Sequence, residues 1–115
     1  DLTAVRADIK AKNSTAARDA LLKLTATHEH ADIYSLLGFS LRKLGDYGQA
    51  LTWYKKALDY DPFHRGAHEY LGELYIETGQ LPKAEEHLAM LVKLCPNGCE
   101  EREDLERELA AARKK

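Results

Sequence analysis

Two cysteines, Cys95 and Cys99, stand four residues apart in the stretch LVKLCPNGCEERED, around Pro96, Asn97 and Gly98. Thiols this close can form a disulfide, act as a redox pair, hold a metal or remain free. The spacing is not C-x-x-C and is not repeated as in a zinc ribbon, which leaves redox and metal chemistry with little support. His64 and His68 are one helical turn apart, and His28 and His30 flank Glu29. Glu69, Glu73 and Glu77 recur at every fourth residue, a row of carboxylates along one side of a helix. No Ser-His-Asp order, glycine-rich phosphate loop or H-E-x-x-H pair is present, so nothing supports catalysis or a cofactor.

The totals narrow the classes further. A chain of 115 residues is one domain's worth. With 44% apolar residues, 31% charged residues and a formal charge of −2, it has no general attraction to nucleic acid or to an anionic membrane. No apolar run approaches the roughly 18 residues of a spanning helix, and no retained signal peptide is visible. The chain starts at Asp1 and not at Met, so a processed mature protein and an excised piece of a larger one are both open.

What positions these side chains is a repeat. Shifted by 34 residues, the chain aligns with itself: Leu37 and Gly38 fall on Leu71 and Gly72, Gly45 on Gly79, Ala50 on Ala84, and Pro62 on Pro96. Each period reads as two amphipathic helices joined by a tight turn. Tyr34, Leu37, Gly38 and Leu41 keep helical spacing, Gly45 ends the helix in the left-handed conformation, and Asp46 caps the next one with Gln49 in capping-box relation. Tyr47, Ala50, Trp53, Tyr54, Ala57 and Leu58 then form an apolar face that Asp61 and Pro62 close. The second period runs through His68, Leu71, Gly72 and Tyr75 to Gly79, then Leu81, Ala84, Leu88, Leu91 and Val92 to Pro96. Gly38 and Gly72 lie in helix interiors, where glycine costs about 1 kcal/mol against alanine. Close approach of the partner helix, with small Ala50 or Ala84 opposite, is the expected compensation.

These residues resemble the tetratricopeptide repeat. Y34-x2-L37-G38-x2-L41, A50-x3-Y54 and P62 match its pattern, and H68-x2-L71-G72-x2-Y75, A84-x3-L88 and P96 match it again. Tyr34 and His68 stand where the pattern prefers Trp, Leu41 where it prefers Tyr, and Leu88 where it prefers Phe. The resemblance implies an all-α, right-handed solenoid of about three helix-turn-helix repeats plus a C-terminal capping helix. As one domain over 1–115 it divides into a degenerate first repeat at 1–29, repeats at 31–64 and 65–98, and a cap at 99–115. In the first repeat Leu2, Val5 and Ile9 form one stripe, Asn13 and Ser14 interrupt it, and Ala17, Leu21 and Leu24 form a second, about one residue short of the period. His68 fills the aromatic slot of its repeat and His64 precedes the helix, which favours packing over metal binding.

Pro96 closes a repeat, so the cysteine turn is a structural joint. Asn97 is the expected N-cap of the last helix, with Glu100 as its capping-box partner. A Cys95–Cys99 bridge is favoured over free thiols and over a redox or metal pair, and closing so short a loop is worth about 1 to 2 kcal/mol. A bridge implies an exported or periplasmic location; free thiols imply the cytoplasm.

In the family the first helix of each pair lines a concave groove that holds a peptide. The matching positions here are Asp32, Ser35, Phe39, Arg42 and Lys43, then Gly66, Glu69, Glu73, Ile76 and Glu77, with Tyr70 adding apolar grip or packing into the core. Some relatives clamp acidic C-terminal peptides with Lys and Asn; Ser35, Leu36 and Phe39 replace those groups and only Lys43 is retained, which argues against that clamp. The row of three glutamates instead points to a peptide bearing Lys or Arg, or to an ordinary solvated face. The expected function is a non-enzymatic protein-binding adaptor or assembly factor without nucleic acid or membrane insertion. The alternatives are self-association through stacked repeats and a thiol redox or metal role for Cys95 and Cys99.

Overall fold

The computed structural model describes residues 2–115; Asp1, and with it the first position of the expected first repeat, lies outside the described residues. Among the described residues there are seven helices and no strand. They are α1 (Thr3–Lys10), α2 (Ser14–Thr25), α3 (Ala31–Lys43), α4 (Tyr47–Tyr60), α5 (Arg65–Glu77), α6 (Leu81–Leu94) and α7 (Glu100–Arg113). This is the architecture of a tetratricopeptide-type helical repeat. The chain forms two compact units, Asp1–Asp61 with α1 to α4 and Pro62–Lys115 with α5 to α7.

One connection is used three times. After α1, α3 and α5, the backbone N–H of Asn13, Asp46 and Gln80 donates back to the carbonyls of Asp8, Leu41 and Tyr75, at 2.8, 2.9 and 2.7 Å. The residue before each, Lys12, Gly45 or Gly79, has φ of 63°, 86° or 75° and closes the shorter bond of the same motif. Glycine reaches this conformation without Cβ strain, which explains two of the three turns. Lys12 reaches it at a cost. Asn13 and Asp46 then accept from the backbone N–H of Ala16 and Gln49, so the residue that completes one helix also starts the next. The Gln49 amide bonds the Asp46 carboxylate and not its backbone, a variant of the expected box. The first hairpin is short in both helices: α1 has 8 residues where α3 and α5 have 13, and α2 has 12 where α4 and α6 have 14.

In the first unit the core is Val5, Ala17, Leu21, Ile33, Leu36, Leu37, Leu41, Ala50, Tyr54 and Ala57, all buried. Each large member contributes about 1.5 to 3 kcal/mol by leaving water. Gly38 lets Tyr54 of α4 lie flat against α3: a Cβ there would sit 2.6 Å from two ring carbons. Tyr47, expected on the apolar face, is exposed.

In the second unit Ala67, Leu71, Leu74, Tyr75, Ala84, Leu91, Leu105 and Leu109 are buried. Gly72 answers to a different partner from the one expected. Its missing Cβ makes room for Leu105 of α7, whose Cδ2 would be 2.7 Å away. Arg113 near the end of α7 donates to Glu85 of α6.

The turn before α7 also differs from expectation. Cys99, not Asn97, is the N-cap, and it makes no side-chain capping bond, so Glu100 is the first helical residue and not a box partner. Cys95 and Cys99 are joined by a disulfide, with Cα atoms 6.0 Å apart. Gly98, at φ 99°, donates to the Cys95 carbonyl at 2.9 Å. Arg102 reaches back from α7 to the carbonyls of Cys95 and Pro96 at 3.1 and 3.0 Å, satisfying groups left over at the end of α6.

Candidate functional site

The inner helices begin with histidines. Nδ1 of His30 accepts from the Asp32 N–H, and Nδ1 of His64 accepts from the Ala67 N–H, both at 3.0 Å. An imidazole can do this only through an unprotonated nitrogen. The two caps are 34 residues apart, so the period did contain this signal.

On α3, five groove candidates have distinct fates. Ser35 is buried and its hydroxyl donates to the Asp32 carbonyl at 3.1 Å. Arg42 is buried, and its guanidinium lies 5.2 Å from the centre of the Phe39 ring. The Lys43 ammonium lies 5.3 Å from the same ring. Asp32 and Phe39 are half-buried and Lys43 is exposed, so these three carry the accessible surface of α3. Phe39, Arg42 and Lys43 are brought together as one cation-bearing aromatic group.

On α5, Glu69 is buried, Gly66, Tyr70, Glu73 and Ile76 are half-buried, and Glu77 is exposed. Burial raises the Glu69 pKa to about 10, helped by a side-chain hydrogen bond to Glu73 and by the charges of Glu73, Asp104 and Glu101. At neutral pH the Glu69 carboxyl therefore keeps its proton and donates it to Glu73. Within the expected row of three carboxylates, Glu69 is the one whose charge burial opposes.

A second cluster lies on the same unit. His68 Nε2 is 2.7 Å from the Pro62 carbonyl, so it carries hydrogen and donates. His68 Nδ1 is then left to accept from His87 Nδ1, 3.0 Å away. The His87 ring stacks on Tyr75 at 5.7 Å. Burial and the neighbouring His68 lower the His87 pKa to about 4. His87 carries no repeat signature and stands 19 residues from its partner, which is why spacing does not reveal it. Among the described residues no group of three or more His, Cys, Asp or Glu could hold a metal ion.

Helical hairpins closed by the same backbone turn are now in place, and the sequence comparisons agree with them. A profile of the tetratricopeptide repeat matches residues 2–59 and again 36–98. The chain belongs to the tetratricopeptide repeat family. It is also similar to the Sol locus transcriptional repressor of Clostridium acetobutylicum, 32% identical over 65 residues, which is 56% of this chain. The aligned stretch spans 20% of that repressor's length. Tetratricopeptide repeats suggest a protein–protein interaction module, and the family is generally a non-enzymatic fold. Among the described residues no helix is long and apolar enough to cross a membrane.

Proposed function

We propose that this tetratricopeptide repeat chain is a non-enzymatic adaptor or assembly factor that holds a peptide segment against α5, the first helix of the hairpin in its second unit. The observation that carries the reading is the carboxyl cluster on α5. Glu69 retains a proton because burial and the neighbouring acids oppose its charge, and Glu73 and Glu77 stand at the surface end of the same row. A Lys or Arg from a partner supplies a compensating positive charge. Capture of such a side chain displaces the shared proton, so affinity rises with pH over the neutral range.

The similarity to a transcriptional repressor covers 56% of a chain that the repeat profile matches over residues 2–59 and 36–98, which favours partner binding as a shared property. It carries the repressor's regulatory role to this chain only as an adaptor inside a larger assembly. The test is an anisotropy titration with a labelled 12-residue peptide bearing Lys and Arg, at pH 6 and pH 8, against the parent and a Glu73→Lys/Glu77→Lys variant. Tighter binding at pH 8, abolished by the reversal, is expected. Equal binding by both proteins overturns the acidic-face reading.

A further inference from the structure

Where the start of α3 meets the end of α4, the first unit has a surface cavity of about 330 Å³ lined by Glu29, Tyr34, Lys56, Asp59 and Tyr60. Trp53, one turn before Lys56 on α4, stacks on Tyr34 with ring centres 5.8 Å apart and planes 28° apart. Tyr60 stands nearly perpendicular to Tyr34, at 81° and 6.2 Å. The Lys56 ammonium lies over both stacked rings, 5.1 Å from the centre of Tyr34 and 5.3 Å from that of Trp53. Two rings form a seat, a third stands at right angles to one of them, and a cation already occupies the seat.

Charge and sequence set this seat apart from a lysine resting on an ordinary surface. The Glu29 and Asp59 carboxylates are exposed, and neither is ion-paired among the described residues. With two acids and one base in its lining, the cavity has one negative charge in excess. One period later the matching positions hold Phe63, His68, His87, Met90, Lys93 and Leu94, so the repeat itself demands neither the acids nor the cation. Tyr60 is 55% exposed, a large ring surface that the core of the first unit does not use.

We propose that this cavity binds a small compound with a trimethylammonium head group. The head takes the place of the Lys56 ammonium over Tyr34 and Trp53, Tyr60 closes one side, and Glu29 supplies the countercharge. Such a head is weakly hydrated and donates no hydrogen bond, so ring faces and a nearby carboxylate suffice to hold it, whereas a protonated amine leaves water at greater cost. Lys56 is exposed and lies three residues before Asp59, so its displaced ammonium has a partner on its own helix. Tyr34 is buried, and the departure of Lys56 opens its ring to the ligand. The volume lies at the lower end of small-molecule cavities and suits a head group with a short tail. The inference goes beyond the peptide-binding reading and needs no residue of α5.

Trp53 is the single tryptophan of the chain, so its fluorescence reads the seat directly. The test titrates the full chain with choline chloride, against sodium chloride at equal ionic strength and against the uncharged isostere in which a tert-butyl group replaces trimethylammonium. Expected is a saturating change with choline alone. Tyr60→Leu and Glu29→Gln should each weaken binding about three- to fivefold. Lys56→Gln should strengthen it about three- to tenfold, because the resident cation no longer competes; a lysine that only packs on the rings gives no such gain. All three positions are exposed, and circular dichroism verifies that the helices persist in the variants. Absence of saturation, an equal response to sodium or to the isostere, unchanged or weaker binding by Lys56→Gln, or tighter binding of a trimethyl-lysine peptide than of choline overturns the proposal. Capture of the Lys/Arg peptide through α5 is a separate measurement, so failure of either reading leaves the other standing.

Discussion

Replacing Gly38 with alanine separates packing from helix propensity. In an open helix the change is worth about 1 kcal/mol in favour of alanine. Here the new Cβ would lie 2.6 Å from both Cδ1 and Cε1 of Tyr54, a ring with no exposed surface and hence no free direction of retreat. Overpacking of a closed core costs up to about 3 kcal/mol, so the net expectation is a loss of about 2 kcal/mol. Gly72→Ala meets the flexible end of Leu105 instead, at 2.7 Å. A cost of about 1 kcal/mol there offsets the propensity gain, and the variant should match the parent. Urea unfolding followed by circular dichroism reads both, and a cycle with Tyr54→Leu isolates the contact. In the Tyr54→Leu background, Gly38→Ala should turn favourable, giving a coupling of about 2 to 3 kcal/mol. A Gly38→Ala protein as stable as the parent, or an equal effect in both backgrounds, refutes the reasoning.

Other outcomes follow from the same structure. Lys12→Gly should raise stability by about 0.5 to 1 kcal/mol in urea titration, since relief of the left-handed strain outweighs the added chain freedom. The folded-state pKa of His87, about 4, lies below its ordinary 6.5, so the stability it confers is present above pH 6.5 and is lost as pH falls toward 4. With part of the ring open to solvent the loss should be about 2 kcal/mol, and His87→Phe should flatten it in melts taken across that window. Glu69 behaves in the opposite sense: its pKa is raised from 4.5 to about 10, so the penalty for folding grows as pH climbs through that range. Glu69→Gln should therefore be neutral at pH 4 and stabilising by about 1 to 2 kcal/mol at pH 8. Changing Cys95 and Cys99 to serine should cost about 1 to 2 kcal/mol, expected for so short a loop, and leave peptide capture unaltered.

The elements that were legible in the sequence are those where backbone geometry restricts the residue type. Gly45 and Gly79 announce left-handed turns, and Leu37, Leu71, Ala50 and Ala84 announce buried faces, because few residues serve there. Lys12 escapes the same logic by performing a glycine's role at a cost. Gly72 was visible as a cleft, but its occupant Leu105 was not, since the helix that fills a cleft is a tertiary choice. The burial of Ser35, Arg42 and Glu69 and the reach of Arg102 to two carbonyls are of the same kind. Periodicity gives a side chain's direction from its helix, and packing alone gives its depth.

The central claim is that the first helix of the second unit's hairpin meets the partner, and amide hydrogen exchange of the full chain with and without the bound Lys/Arg peptide tests it most directly. The account predicts added protection along α5, including the amides around Glu73, with α4 and α6 unchanged. Protection that instead gathers on α4 or α6 would contradict it.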